Sequence, residues 1–303
     1  MISYEGLHRL LKEKQITISS LSSSLGISSR TIAKINRGEK VSDRILEKIA
    51  GFLCCGISDL CRTLSDNPLL QRLRDEKMAG LSGGLYHELQ IRMTYNSNHI
   101  EGSRLTEKQT RLIFETNTIT SEDGLPVDDI LETVHHFRAM DHVIDTAEEE
   151  LTEAEIKNLH LILKQNTRDA SLPWFAVGDY KKQPNMVGGY ETASPASVPE
   201  RMKTLLQHYH QLEIITIRDI VTFHAEFEKI HPFQDGNGRV GRLIALKECL
   251  HHKIIPFIIE DTKKYYYYRG LSEWDNEPGW LMDTCLDGQD AVIRLLDALG
   301  IPH

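Results

Sequence analysis

Apolar positions recur at helical spacing along almost the whole chain. Leu7, Leu10 and Leu11 open it, and Ile18, Leu21 and Leu25 line a second short helix that Gly26 ends by taking the left-handed conformation. Ser28 or Ser29 caps the next helix, which carries Arg30, Thr31, Lys34 and Arg37 on one side and Ile32 and Ile35 on the other. Asn36-Arg37-Gly38 closes it, and Ile45, Ile49 and Leu53 mark a further helix over 41–53. Ser65-Asp66-Asn67-Pro68 punctuates the chain as a domain joint. Beyond it the spacing predicts helices over 69–95, 106–116, 126–149, 152–165, 197–212, 216–230, 239–252, 262–273 and 288–299. One stretch, 179–192, departs from this habit. Its β-formers around Gly188-Gly189 read as a small hairpin whose free edge, with Met186 and Val187, pairs with a partner strand, or as a plain surface loop. The expected architecture is all-α: a helix-turn-helix domain over 1–63, a connecting helical segment over 64–91, and a larger helical domain over 92–303 with the hairpin as a flap.

Charge sharpens this division. Residues 1–63 hold ten Lys/Arg against six Asp/Glu, a net +4, while the whole chain is −9, so the remaining 240 residues stand at −13. A basic head on an acidic body suggests two jobs, and only the head suits nucleic acid. No apolar run reaches the length of a membrane span, and MISYEGLHRL lacks the pattern of a signal peptide, so a cytoplasmic location without membrane contact is expected. The five cysteines (54, 55, 61, 249 and 285) form no pair of CxxC units and read as free thiols.

Two short helices around a Gly-containing turn, the second one basic, make the helix-turn-helix pattern. Residues 3–63 resemble the Cro/repressor-type family. That resemblance implies duplex DNA as a partner, base contacts from Ser29, Arg30, Thr31 and Lys34, and a homodimer on two half-sites. The other reading is a basic face on a dimerisation module.

The chemistry concentrates in residues 231–242. Ile217, Ile220, Val221, His224 and Phe227 form an apolar stripe, and Pro232 forces the chain out of helix at His231. An exposed imidazole delivered at a helix end suits a general base. In Gln234-Asp235-Gly236-Asn237-Gly238-Arg239, two glycines allow positive φ, so successive N–H groups can form a nest, and the following helix adds its N-terminal dipole. Arg239 and Arg242, three apart, can then grip phosphate oxygens from one side, and Asp235 is a hard ligand for Mg²⁺. Zinc is not expected, because no second His or Cys lies in register. Base, nest, arginines and carboxylate together describe phosphoryl or nucleotidyl transfer. His224 reads as a hydrogen-bonded core histidine.

This segment is similar to the Fic family pattern HxFx(D/E)GNGRxxR, met here by His231, Phe233, Asp235, Gly236, Asn237, Gly238, Arg239 and Arg242. The resemblance runs from about Arg92 to Leu271. It implies AMP transfer from Mg-ATP to a Tyr, Thr or Ser hydroxyl of a protein. His231 would deprotonate the hydroxyl, and Asp235 would hold Mg²⁺. Gly236, Asn237 and Gly238 would bind the α- and β-phosphates, Arg239 the β-phosphate and Arg242 the γ-phosphate. Tyr268 would line the nucleobase pocket unless Tyr265–Tyr268 are merely core and surface aromatics, and the flap with Met186 and Val187 would hold the target.

Ser97-Asn98-His99-Ile100-Glu101-Gly102 also resembles a family pattern, (S/T)xxxE(G/N), the inhibitory motif. Glu101, at a helix end that Gly102 permits, would then occupy Arg242 and deny it to the γ-phosphate. Two rivals to protein adenylylation stay open: the same fold moving another nucleotide, phosphate, or AMP in reverse, and a DNA-binding regulator that uses the domain as a sensor.

Overall fold

The structure is a computed structural model that describes residues 1–120 and 124–303. The chain divides into two compact units, 1–71 and 72–303.

The first unit is built from α1 (Glu5–Glu13), α2 (Ile18–Leu25), α3 (Ser29–Asn36), α4 (Asp43–Leu53) and α5 (Ile57–Leu60). The apolar stripes read from the sequence meet in one core: Leu7, Leu11, Leu21, Ile35, Ile49 and Leu53 are all buried. Thr17 and Ser28 cap α2 and α3 by accepting the backbone N–H of Ser20 and Thr31, at 3.1 and 3.2 Å. Gly26 ends α2 at φ +63°. Between α2 and α3 only Gly26, Ile27 and Ser28 intervene, the short turn of a helix-turn-helix. Missing from the helical reading is a two-stranded closure, β1 (Ile2–Ser3) against β2 (Arg62–Thr63), pairing Ile2 with Thr63. Two-residue strands some sixty positions apart carry no local pattern.

The second unit is also helical. Its elements are α6 (Pro68–Ala79, which begins in the first unit), α7 (Leu85–Ile100), α8 (Glu107–Thr116), α9 (Val127–Thr146), α10 (Glu153–Lys164), α11 (Val198–His210), α12 (Ile217–Ile230), α13 (Asn237–His251), α14 (Lys264–Ser272) and α15 (Gly279–Ala298). The strands β3 (Met186–Val187) and β4 (Tyr190–Glu191) form an antiparallel hairpin within the 179–192 stretch. α13 lies against α7, α9, α10 and α12 and is buried along nearly its whole length. Phe257, Tyr267, Leu281 and Cys285 close the core beside α12 and α13.

Two helix expectations are corrected. The span 69–95 is not one helix but α6 and α7, broken at Gly80-Leu81-Ser82-Gly83-Gly84, with Gly80 and Gly83 at φ +59° and +72°. A β-carbon on Gly84 would lie 2.5 Å from Glu76 Oε2, which accepts the Tyr86 N–H. The last helix begins at Gly279, not 288. Gly288 is no boundary; it lets the 254–260 segment approach, since a β-carbon there would meet Ile258 O at 2.5 Å.

Candidate active site

α12 begins with a capping box between Thr216 and Asp219 and runs until Pro232 forbids another helical residue. His231 becomes the C-cap, in the left-handed region at φ +51°, an uncommon place for a side chain larger than Gly or Asn. Its Nδ1 donates to the Glu228 carbonyl at 3.2 Å. A carbonyl only accepts, so that contact fixes the neutral tautomer with Nε2 open as an acceptor. The ring is not exposed as the sequence suggested: 16% of the side chain is accessible. Burial, with Lys181 nearby, pulls the imidazole down to about 4 against the Glu228 carbonyl bond, so His231 is neutral at physiological pH.

The loop after it is braced from within. Asn237 Oδ1 accepts the Phe233 N–H at 2.8 Å and its Nδ2 donates to Phe233 O at 2.8 Å. Phe233 is fully buried and stacks on His160 with ring centres 4.0 Å apart. Gly236 takes φ +80°, which lets α13 start at Asn237. Only this glycine uses positive φ. Gly238 lies in the first turn of α13, and its need is for space: a β-carbon would meet Glu101 Oε1 at 2.1 Å and Arg242 Nη1 at 2.9 Å. The first-turn N–H groups of Asn237, Gly238 and Arg239 lack intrahelical acceptors, the arrangement that suits an anion.

The two arginines part company rather than gripping one side. Arg242, 5% exposed, donates Nε to Ser97 Oγ at 3.0 Å, Nη2 to Ser97 O at 2.9 Å and to Glu101 Oε1 at 2.7 Å, and Nη1 to Tyr267 OH at 3.3 Å. Ser97 and Glu101 are four apart on the same face of α7, which explains why both reach one guanidinium. Glu101 caps α7 and Gly102 follows at φ +99°, turning the chain away. Arg239 instead joins an ionic cluster, bonding Glu132 and, at 3.3 Å, Asp235 Oδ2. Buried Lys164 completes it, 2.5 Å from Glu132 Oε1 and 2.7 Å from Asp235 Oδ2. Burial alone would raise Asp235; Arg239 and Lys164 outweigh it and hold the carboxyl well below the usual range. The same two cations lower Glu132 against its burial.

Sequence reasoning missed Lys164, Glu132, Tyr267 and Glu228. Lys164 carried a signal: it extends the buried face of α10 (Ile156, Leu159, His160, Leu163), where a lysine demands carboxylate partners. Tyr267, not Tyr268, is the buried one, between Arg242 and His224 Nε2 at 2.8 Å, so His224 is the hydrogen-bonded core histidine expected. Tyr268 is partly exposed and donates to Ile100 O at 3.1 Å.

The hairpin is tied to the loop at its base. Lys181 N donates to Pro232 O at 2.8 Å, Asn185 Nδ2 to Phe233 O at 3.0 Å, and Gln183 N to Gln234 Oε1 at 3.2 Å. Met186 and Val187 are exposed at its edge. In the first unit Ser29 and Arg30 are exposed and Thr31 and Lys34 half-buried on α3.

The second unit is a helical core whose α12–loop–α13 turn brings together His231, the N-terminus of α13 and the 179–192 hairpin. Residues 150–249 match the Fic/DOC family, and residues 6–66 match the Cro/C1-type HTH DNA-binding domain. The chain thus resembles a Fic/DOC domain over 150–249 and a Cro/C1-type helix-turn-helix domain over 6–66. It is 26% identical over 238 residues to "Protein adenylyltransferase Fic" of Drosophila virilis, which covers 73% of this chain and 47% of the relative. It is 28% identical over 192 residues to the protein of that name from Drosophila melanogaster, covering 61% and 38%. The chain thus spans half or less of the length of these curated relatives. A Fic domain containing signaling protein from Bacteroides thetaiotaomicron aligns at TM-score 0.57 and 28% identity, over 76% of this chain and 87% of that one. Fic-1 (aa134 - 508) from C. elegans aligns at TM-score 0.59 and 19% identity, over 98% and 85%, a likeness of fold. No helix among the described residues is long and apolar enough to cross a membrane.

Proposed function

We propose that the protein transfers AMP from ATP to a Tyr, Thr or Ser hydroxyl of a protein, itself or another. The supporting observation is the pairing of an open His231 Nε2 with the N-terminus of α13 across a loop that Asn237 holds rigid. His231 takes the proton of the attacking hydroxyl. The backbone of Gly236, Asn237 and Gly238 receives the α- and β-phosphates, and Arg242 the γ-phosphate. Arg239, turned toward Glu132 and Asp235, steadies Asp235 first and the β-phosphate second. Tyr268 borders the nucleobase, and Met186 and Val187 pair with the target segment.

Asp235 fits a Mg²⁺ ion delivered with the nucleotide: it is one hard, half-exposed carboxylate, held ionised beside the phosphate position. Mg²⁺ bound there would neutralise phosphate charge. The protein's own part is to aim Asp235, which Lys164 and Arg239 do.

Wild-type protein is autoinhibited, because Glu101 holds the guanidinium that the γ-phosphate needs. Residues 1–63 bind duplex DNA through Ser29, Arg30, Thr31 and Lys34, as a homodimer, and couple transfer to DNA occupancy. The test is direct. A Glu101→Gly variant is offered ATP, GTP, CTP or UTP with Mg²⁺, and the mass added to the protein and to lysate proteins is read. AMP addition from ATP is expected; addition from another nucleotide alone, or none, refutes the reading.

A further inference from the structure

The motif leaves one acidic residue of the site without a task. Glu228 lies on α12 one turn before His231. Its side chain is 10% exposed, its Oε1 is buried without a hydrogen-bond partner, and its Oε2 sits 3.7 Å from His231 Nδ1. Glu228 lies over Gly241, where a β-carbon would come 2.7 Å from Oε1. Gly238, one turn earlier on α13, is covered in the same way by Glu101. Two acidic side chains therefore share one face of α13, beside Arg242.

We propose that Glu228 is a positioning residue for His231, whose carboxyl group, set between the imidazole and the Glu101–Arg242 pair, transmits the position of Glu101 to the base.

The electrostatics of the site support this. Burial, and after it the Glu101 charge, push Glu228 up to about 8 against the pull of Arg242. The remaining groups around it offer little opposition. His224, whose Nδ1 also crowds Gly241, is held neutral by burial at about 3. Tyr267 and Tyr268 on α14 sense Glu228, and burial keeps both phenols protonated. Lys181, from the flap base, acts on His231. With Glu101 in place a second negative charge is resisted, so Glu228 keeps its proton and offers the imidazole no anion. Withdrawal of Glu101 lowers that resistance, while burial remains, so the ionisation of Glu228 moves to lower pH. Above that lower pH Glu228 releases its proton to solvent and leaves a carboxylate beside Nδ1. An anion there favours the imidazolium that forms when Nε2 takes a proton from a hydroxyl. Glu101 would thus restrain both ends of the reaction, Arg242 directly and His231 through Glu228.

This inference rests on His231 being the base, and its first test does not need transfer. The ¹⁵N resonances of the His231 ring are followed from pH 5 to 9.5 in the full chain without nucleotide. Wild-type protein should show an inflection near the Glu228 ionisation, at about 8. Glu101→Gly should move it to lower pH by roughly half a unit or more, and Glu228→Gln should abolish it while thermal unfolding stays cooperative. An inflection that survives Glu228→Gln, or is unmoved by Glu101→Gly, overturns the proposal.

The second test compares initial transfer rates of Glu101→Gly and Glu101→Gly/Glu228→Gln from pH 6 to 9. The single variant should gain rate with pH and the double variant should not, with the two agreeing at pH 6 and differing roughly tenfold at pH 9. An equal deficit at every pH makes Glu228 a packing residue and refutes the proposal. Absence of transfer in both variants refutes the assigned activity instead, and the ring resonances still decide the role of Glu228.

Discussion

Replacing Glu101 by glycine tests the relation between the ion pair and the rate. Arg242 is 5% and Glu101 29% exposed, and the pair is 2.7 Å long. Removing one partner of a fully buried pair costs about 3–5 kcal/mol. Here the loss is smaller, because Arg242 keeps Ser97 Oγ, Ser97 O and Tyr267 OH as acceptors and Glu101 is partly solvated. A pair strength of about 2–3 kcal/mol follows, and a nucleotide must overcome it before its γ-phosphate reaches Arg242. At about 1.4 kcal/mol per tenfold, Glu101→Gly should speed transfer roughly 30- to 150-fold. Bare nucleotide affinity should change less than rate, since misplacing the reacting phosphate by about 1 Å alone costs roughly a hundredfold. The melting temperature should fall by about 4–12 °C, at roughly 2–4 °C per kcal/mol for a unit of this size. Initial rates of α-labelled AMP transfer and a thermal scan measure both, with Glu101→Asp intermediate. If Glu101→Gly is no faster than wild type, the pair is structural and control lies elsewhere.

His231→Ala should lose transfer by about two to four orders of magnitude while retaining nucleotide in equilibrium dialysis; unchanged transfer excludes it as the base. Lys164→Met should leave Asp235 and Glu132 with one cation fewer, destabilising the fold by about 3 kcal/mol in urea titration; a loss under 0.5 kcal/mol would show the cluster to be dispensable. Arg30→Ala and Lys34→Ala in the full chain should each weaken binding to the preferred duplex by about 1–3 kcal/mol and relax its sequence preference; unchanged affinity and preference remove that residue from the base contacts. His136, His160 and His224 are held by burial at about 3, below their unfolded value. Their stabilising effect is complete above about pH 6.5 and is lost as pH falls toward 3. Stability measured from pH 7 to 4 should therefore decline, and a flat profile contradicts those burials.

Legibility in the sequence followed the range of the interactions. The α12–loop–α13 turn was readable because its geometry is set by neighbours: Pro232 ends one helix, Gly236 starts the next, and Asn237 bonds back four residues. The contact of Glu101 with Arg242 spans 141 positions, and it was reached through a resemblance rather than spacing. Nothing local announced the division of labour between the arginines. It depends on Glu132 in α9 and Lys164 in α10, both far from the loop in sequence. The break between α6 and α7 was written plainly in three glycines within five residues, yet the apolar period on either side masked it. Which tyrosine of four in a row faces inward depends on the phase of α14, and composition alone does not set that phase.

Under the proposed autoinhibition, the setting of Glu101 determines how fast and by what means the site would respond. The carboxylate sits at the end of α7, a helix with twelve of its sixteen residues buried and thus no freedom to swing. Opening must come from rotation of a single side chain about its own bonds, an event of picoseconds to nanoseconds for an accessible group rather than the microseconds to milliseconds of a moving lid. Such an element would keep no memory: each turnover would find Glu101 back on Arg242 as soon as the product leaves. Sustained activity would then require a standing bias, a bound molecule that competes for Arg242 throughout.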